Sequence, residues 1–259
     1  MRSFITGLVG ILGLATATSA MVTGRASTAS IAHPDNGKVP PQNAIIVSQN
    51  SKDSEGSFSS ISAALASLPN DNTDQTVFIT GGSYNEQLPA INRPGVVRII
   101  GYTTGNPGQS YKDNTVTVAY SRGLSVSPLP AGHNDAETAV VSTASSHISF
   151  YNINFVNTDN LDGSKASYVT LAASIYGNHV AFYACSLDGW QDTLLTGATA
   201  GYLYFESCFV GGAIDFIWFV KVVLSSTIVE RKLTWCYLGA TPRPISRAAQ
   251  SAQNGPSPR

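Results

Sequence analysis

The sequence predicts an all-β protein wound as a right-handed parallel β-helix, with one short helix capping its N-terminal end. Three observations carry that expectation. Short strand-like segments follow one another, with Gly, Asn, Asp and Pro between them. Only one segment has convincing helical spacing, and it comes early. The strand-like segments also repeat. Shifting AFYACSLDGWQD (181–192) by 23 residues lands on YFESCFVGGAID (204–215), pairing Phe182 with Phe205, Cys185 with Cys208, Leu187 with Val210, Gly189 with Gly212 and Asp192 with Asp215. A strand-bearing unit of this length that keeps its apolar and small residues in place reads as one coil of a solenoid.

From the N-terminus, residues 1–20 (MRSFITGLVGILGLATATSA) join an early Arg2, an apolar run from Phe4 to Leu14, and small residues Thr18 and Ala20 at cleavage-competent positions. They read as a signal peptide, which predicts a secreted protein. Residues 21–42 are rich in Ser, Thr, Pro and Gly and read as a mobile leader. FSSISAALASL (58–68) places Phe58, Ile61, Leu65 and Leu68 on one helical face, and Pro69 ends it. Strands are expected over 44–48, 76–82, 96–102, 115–120, 139–145, 147–157 and 179–187. FYNINF (150–155) matches FYACSL (182–187) at an offset of 32, and the extra residues fall in TDNLDGSKAS (158–167), which predicts a loop. The β-helix domain is expected over 43–239, with a disordered Pro/Ser/Ala/Gln-rich tail over 240–259.

Composition narrows the function. With 43% hydrophobic and 12% charged residues the chain can bury a substantial single core, and a net charge of −1 without a Lys/Arg run argues against nucleic acid as a partner. Beyond the leader, no stretch reaches the roughly 20 apolar residues of a membrane span. Cys185, Cys208 and Cys236 are an odd number without metal-like spacing. Stacked coils make Cys185 and Cys208 a ladder of buried thiols, a reading favoured over a disulfide.

The same stacking gives the acids of GWQDTLLTGATAGYLYFESCFVGGAIDF (189–216) a meaning. Asp192 and Asp215 fall at one place on adjacent coils, about 5 to 7 Å apart. Two carboxyls that close cannot both ionise freely, and the pair supplies one acid with one base or nucleophile. An Asp ladder that only binds turn amides fits the spacing as well. Gln191 adds an amide donor, and Trp190, Phe216 and Trp218 offer either sugar-stacking faces or core.

These residues also carry a resemblance. GWQDTLL (189–195) and GAIDFIW (212–218) resemble the GYQDTL and GxVDFIFG signatures of pectin methylesterases, secreted carbohydrate esterases with a pectin-lyase-like parallel β-helix. GSYNEQL (82–88), containing Tyr84, resembles their GxYxE segment, and 134–158 is similar to the stretch before the active site in fungal-type members. The likeness runs from about Ala44 to Ile217. It implies that Asp215 is the nucleophile toward the methyl ester of galacturonate and Asp192 the general acid and then base. Gln191 becomes a donor to the oxyanion, and Trp190, Phe216, Trp218 and Tyr84 become substrate contacts. No metal or organic cofactor is implied, and the partner is methylesterified homogalacturonan, met by a monomer.

The sequence departs from the family pattern in two places. The position of a second family glutamine is Val169, and the LGRPW segment, whose arginine holds the nucleophile, has no counterpart: Leu238-Gly239 is followed by Ala240-Thr241. The C-terminal side therefore reads as a truncated or altered end, as from a different reading frame or an unspliced intron after about Phe216. Arg231 and Arg243 are the candidate substitutes. Two other functions compete: a polygalacturonase-like glycoside hydrolase, suggested by Asn157-Thr158-Asp159, and a non-catalytic pectin-binding β-helix. His133, His147 and His179 are scattered and read as structural.

Overall fold

The computed structural model describes residues 37–53, 56–197, 199–219 and 223–231, and side chains through Trp218. The expected signal peptide, most of the leader, Cys236, Leu238-Gly239, Arg243 and the tail lie outside the described residues. So does the side chain of Arg231, whose backbone ends a strand in register with Gly211.

Successive coils contribute up to three strands each, and equivalent strands pair in parallel with their counterparts on the coils before and after. The first face runs Ile45–Val47, Gln75–Ile79, Val97–Gly101, Ile148–Tyr151, Val180–Tyr183 and the first half of Tyr202–Gly211. The second runs Gly82–Asn85, Val116–Tyr120, Ile153–Asn157, Ser186–Asp188 and the second half of Tyr202–Gly211. The third stacks Val141–Thr143, Ala173–Ile175, Leu194–Thr196 and Ile217–Phe219. Val223–Arg231 adds a further strand along Tyr202–Gly211. This is the expected right-handed parallel β-helix.

The predicted strands over 147–157 and 179–187 are each two strands, broken at a corner. Asn152, Ala184 and Ser207 occupy that corner on successive coils with φ of 56°, 50° and 55°. A single left-handed residue turns the chain from the first face to the second and resets the in/out alternation. Phe150 and Phe155 both end inside, although they differ by an odd number of positions. Asn152 earns its place by hydrogen bonding: its Oδ1 accepts from Gly108 N at 2.8 Å. Ala184 has no such compensation.

Stacking builds the core directly. Phe182 lies between Phe150 at 4.7 Å and Phe205 at 5.0 Å, nearly parallel to both, and Phe155 meets Phe150 edge-on at 5.5 Å. Cys185 and Cys208 are free, buried thiols, and Cys185 N–H points at Cys208 Sγ, 3.4 Å away.

The capping helix spans Ile61–Ala66, shorter than the 58–68 the spacing predicts. Phe58 instead joins a strand against Val47. The helix starts where its free amides find acceptors: Ser60 Oγ accepts from Ala63 N, and the Glu86 carboxylate accepts from Ile61 N at 3.0 Å and Ser62 N at 2.8 Å. Ile61 and Ala64 are buried under it, with Leu65 and Leu68 at its margin. The loop predicted over 158–167 lies between the strands Ile153–Asn157 and Tyr168–Val169.

Two substitutions test this account. Phe182→Ala should lower unfolding free energy by about 3–5 kcal/mol by opening the ring stack. Ala184→Gly should raise it, or leave it unchanged, because glycine removes a left-handed penalty of roughly 1 kcal/mol. Urea denaturation of the folded protein reads both.

Candidate active site

Asp192 and Asp215 sit in the turns between the second and third faces of adjacent coils, both with left-handed backbone, at φ of 58° and 43°. The turns are in register. Gln191 bridges Ile214, Asp192 N donates to Ile214 O at 3.0 Å, and Leu194 N donates to Phe216 O at 3.0 Å. The two aspartate backbones are therefore one coil spacing apart, about 4.8 Å. Gly189 is required here, since a Cβ on it would collide with the Thr170 carbonyl on the preceding coil.

Asp192 is 6% exposed. Burial, then the charge of Asp215, then that of Asp135, push its carboxyl up to about 7, against a hydrogen bond from the Gln191 side chain that favours the ionised form. Gln191 is held at its other end: its Oε1 accepts from Tyr168 N at 3.1 Å, which leaves the amide NH₂ for the acid side of the site. Thr170 Oγ1 accepts from Trp190 N at 3.0 Å and Gln191 N at 3.3 Å, fixing the start of the Gln-Asp-Thr triplet on the coil before it.

The structure thus brings Gln191, Asp192 and Asp215 together. It sorts the other expected contacts by burial. Trp190 is half-buried, with its ring against Gly163 of the 158–167 loop. Trp218 is half-buried and packs on the cluster of Ala139, Val169, Leu171 and Leu195. Phe216 is 0% exposed in the main core, and Tyr84 is 2% exposed with its hydroxyl donating to Thr80 O at 3.0 Å. Neither ring presents a face to a ligand, and the substrate-contact expectation for these two is corrected accordingly. The left-handed Asp215 turns the following chain so that Phe216 enters the interior. Val169, at the position of the family's second glutamine, is fully buried among apolar neighbours.

Sequence reasoning did not single out Asp135 or Thr170. Thr170 lies in a segment that departs from the family pattern. Asp135 lies within the stretch that resembles fungal-type members, but it has no repeat partner to draw attention to it.

The pectinesterase family profile matches residues 44–234. The chain belongs to the pectinesterase family. A probable pectinesterase A of Aspergillus fumigatus is 36% identical over 192 residues, covering 74% of this chain and 53% of that relative. A pectinesterase of Aspergillus niger is 34% identical over 180 residues, covering 68% and 49%. The crystal structure of the pectin methylesterase from Aspergillus niger in deglycosylated form aligns with a TM-score of 0.61 at 28% identity, over 75% of this chain and 59% of that one. The chain spans about half the length of the curated pectinesterases it matches.

The raised proton affinity of Asp192 makes a stability prediction. A carboxyl that holds its proton more tightly when folded stabilises the fold fully only below its unfolded value near 4, and that contribution is lost as pH rises through about 7. Asp192→Asn should therefore raise unfolding free energy at pH 8 by on the order of 1–4 kcal/mol and change it little at pH 4. Urea denaturation at both pH values gives the comparison.

Proposed function

We propose that this pectinesterase-family chain is a carbohydrate esterase that hydrolyses the methyl esters of galacturonate in pectin and releases methanol. The observation that carries the reading is the stacked carboxyl pair, in which burial and the charge of Asp215 push the Asp192 carboxyl up to about 7. That environment supports Asp192 as the acid and leaves Asp215 as the nucleophile.

Asp215 adds through a carboxylate oxygen to the ester carbonyl carbon, and the carbonyl oxygen becomes an oxyanion that accepts from the Gln191 amide. Collapse breaks the bond to methoxide as Asp192 gives it a proton, so methanol leaves and an anhydride joins substrate to Asp215. Asp192, now a carboxylate, takes a proton from water as that water attacks the anhydride. Asp215 leaves as carboxylate, the galacturonate acid is released, and Asp192 ends protonated. Trp190 and Trp218 are the two aromatic residues of the set whose burial leaves ring surface for a sugar. The signal-like residues 1–20 support export, and the substrate is then extracellular, a methylesterified homogalacturonan of the cell wall bound by a monomer.

The hydrolase alternative loses its motif to structural duty. Asn157 is fully buried and its Nδ2 donates to Arg122 O, Thr138 O and Leu171 O, while Asp159 is paired with Lys165.

Highly methylated pectin tests the reading. The expected products are methanol without new reducing ends. Reducing ends would instead establish the hydrolase, and retained binding without either product a non-catalytic module. Asp215→Asn should reduce methanol release to background, and Gln191→Ala should lower kcat by about 10²- to 10³-fold.

A further inference from the structure

We propose that Asp135 is a third carboxyl of this site, a positioning residue that acts through Asp192 and secures the proton Asp192 gives to leaving methanol. The inference rests on the esterase reading above. Asp135 opens a one-turn 3₁₀ helix, Asp135–Thr138, which is fastened to the coil next to the aspartate pair. Thr138 Oγ1 donates to Asp135 O at 2.9 Å and accepts from Leu171 N at 3.1 Å. Leu171 lies beside Asp192 in the ladder, since Thr170 N donates to Gln191 O and Ala172 N to Thr193 O. Asn157 Nδ2 ties Thr138 O to Leu171 O. Ala136 and Ala139 pack on the apolar cluster that includes Val169 and Leu171.

Within that frame Asp135 Oδ1 is buried without a hydrogen-bond partner. An acceptor left that way is costly. Among the described residues, the nearby basic side chains are engaged elsewhere. Arg122 and His133 pair with Glu137 at 3.3 and 2.7 Å, and Lys165 pairs with Asp159 over the Tyr168 ring. The described groups that act on Asp192 are Asp215 from the next coil, Asp135 from the 3₁₀ helix and the Gln191 amide beside it, and the Asp135 charge raises the proton affinity of Asp192. Burial raises that of Asp135 itself. When Asp135 is ionised, its charge gives Asp192 another reason to stay protonated until methanol departs.

The experiment uses Asp135→Asn and, as a second charge-free variant, Asp135→Ser, with Asp135→Glu as the conservative control. Two readouts are taken on each folded protein: the pH profile of kcat/KM for methanol release, and the titration of the Asp192 carboxyl carbon by NMR. In the charge-free variants the alkaline limb and the Asp192 midpoint should both move to lower pH, and Asp135→Glu should restore the wild-type positions. An unchanged Asp192 midpoint in both charge-free variants overturns the proposal, even if the rate falls, because a purely structural role lowers amplitude without moving the titration. If the wild-type protein releases no methanol, the esterase reading fails while the NMR titration still decides whether Asp135 acts on Asp192.

Discussion

Everything in this molecule depends on the in-register hydrogen bonding of one parallel coil to the next. A coil spacing of about 4.8 Å turns a sequence offset into a contact, so that residues equivalent along the chain become neighbours along the axis. The ladder from Phe150 through Phe182 to Phe205, the buried thiols of Cys185 and Cys208, and the aspartates at 192 and 215 are three results of that one constraint. The first two are favourable for the fold. The third is not.

Placing a second carboxyl one coil away from a buried one raises the free energy of the ionised state, and the ladder has to hold the pair together against that repulsion. The local devices are visible. The backbone of Asp192 donates to Ile214 O, Leu194 N donates to Phe216 O, and Thr193 Oγ1 donates to Gly211 O at 2.9 Å, so each residue from 192 to 194 is bonded across the same gap that separates the acids. Those bonds do not use the Asp192 carboxyl, so they hold the turns together whether or not it is ionised. A site on a free loop would relax the repulsion by separating the carboxyls. Here the backbone cannot.

The sequence was legible where it repeats and obscure where the chain turns. The offset of 23 residues placed Asp192 beside Asp215 and Phe182 beside Phe205 because register is a property of spacing alone. The corners at Asn152, Ala184 and Ser207 were not legible, since only Asn has a marked tolerance for left-handed backbone, and alanine at φ 50° carries no signal. The left-handed turn at Asp215 is equally silent in the sequence, and it sends Phe216, adjacent to a site residue, into the core. Tyr84 was assigned through the resemblance of GSYNEQL alone, and its ring is buried with the hydroxyl satisfied locally by Thr80. Asp135 could not be reached by repetition at all, because the turn that carries it is much longer than its counterparts at 192 and 215.

That difference in turn length explains where chemistry is located on an otherwise repetitive solid. Between the second and third faces the chain takes 20 residues after Tyr120, 15 after Asn157, and only five after Asp188 and after Gly211. The two short turns stack and hold the acids in register. The two long ones leave the helix surface and return, bringing the Asp135–Thr138 turn, the antiparallel pair of Leu124–Ser125 with Tyr168–Val169, and the loop under Trp190 to the neighbourhood of the pair. Short turns give precise register, and long turns give side chains that repetition cannot supply. A β-helix of equal coils would leave its carboxyl ladder facing solvent. Inequality between coils brings Asp135 to a pair that equal coils would leave alone, and burial with the charges of Asp215 and Asp135 pushes the Asp192 carboxyl up to about 7.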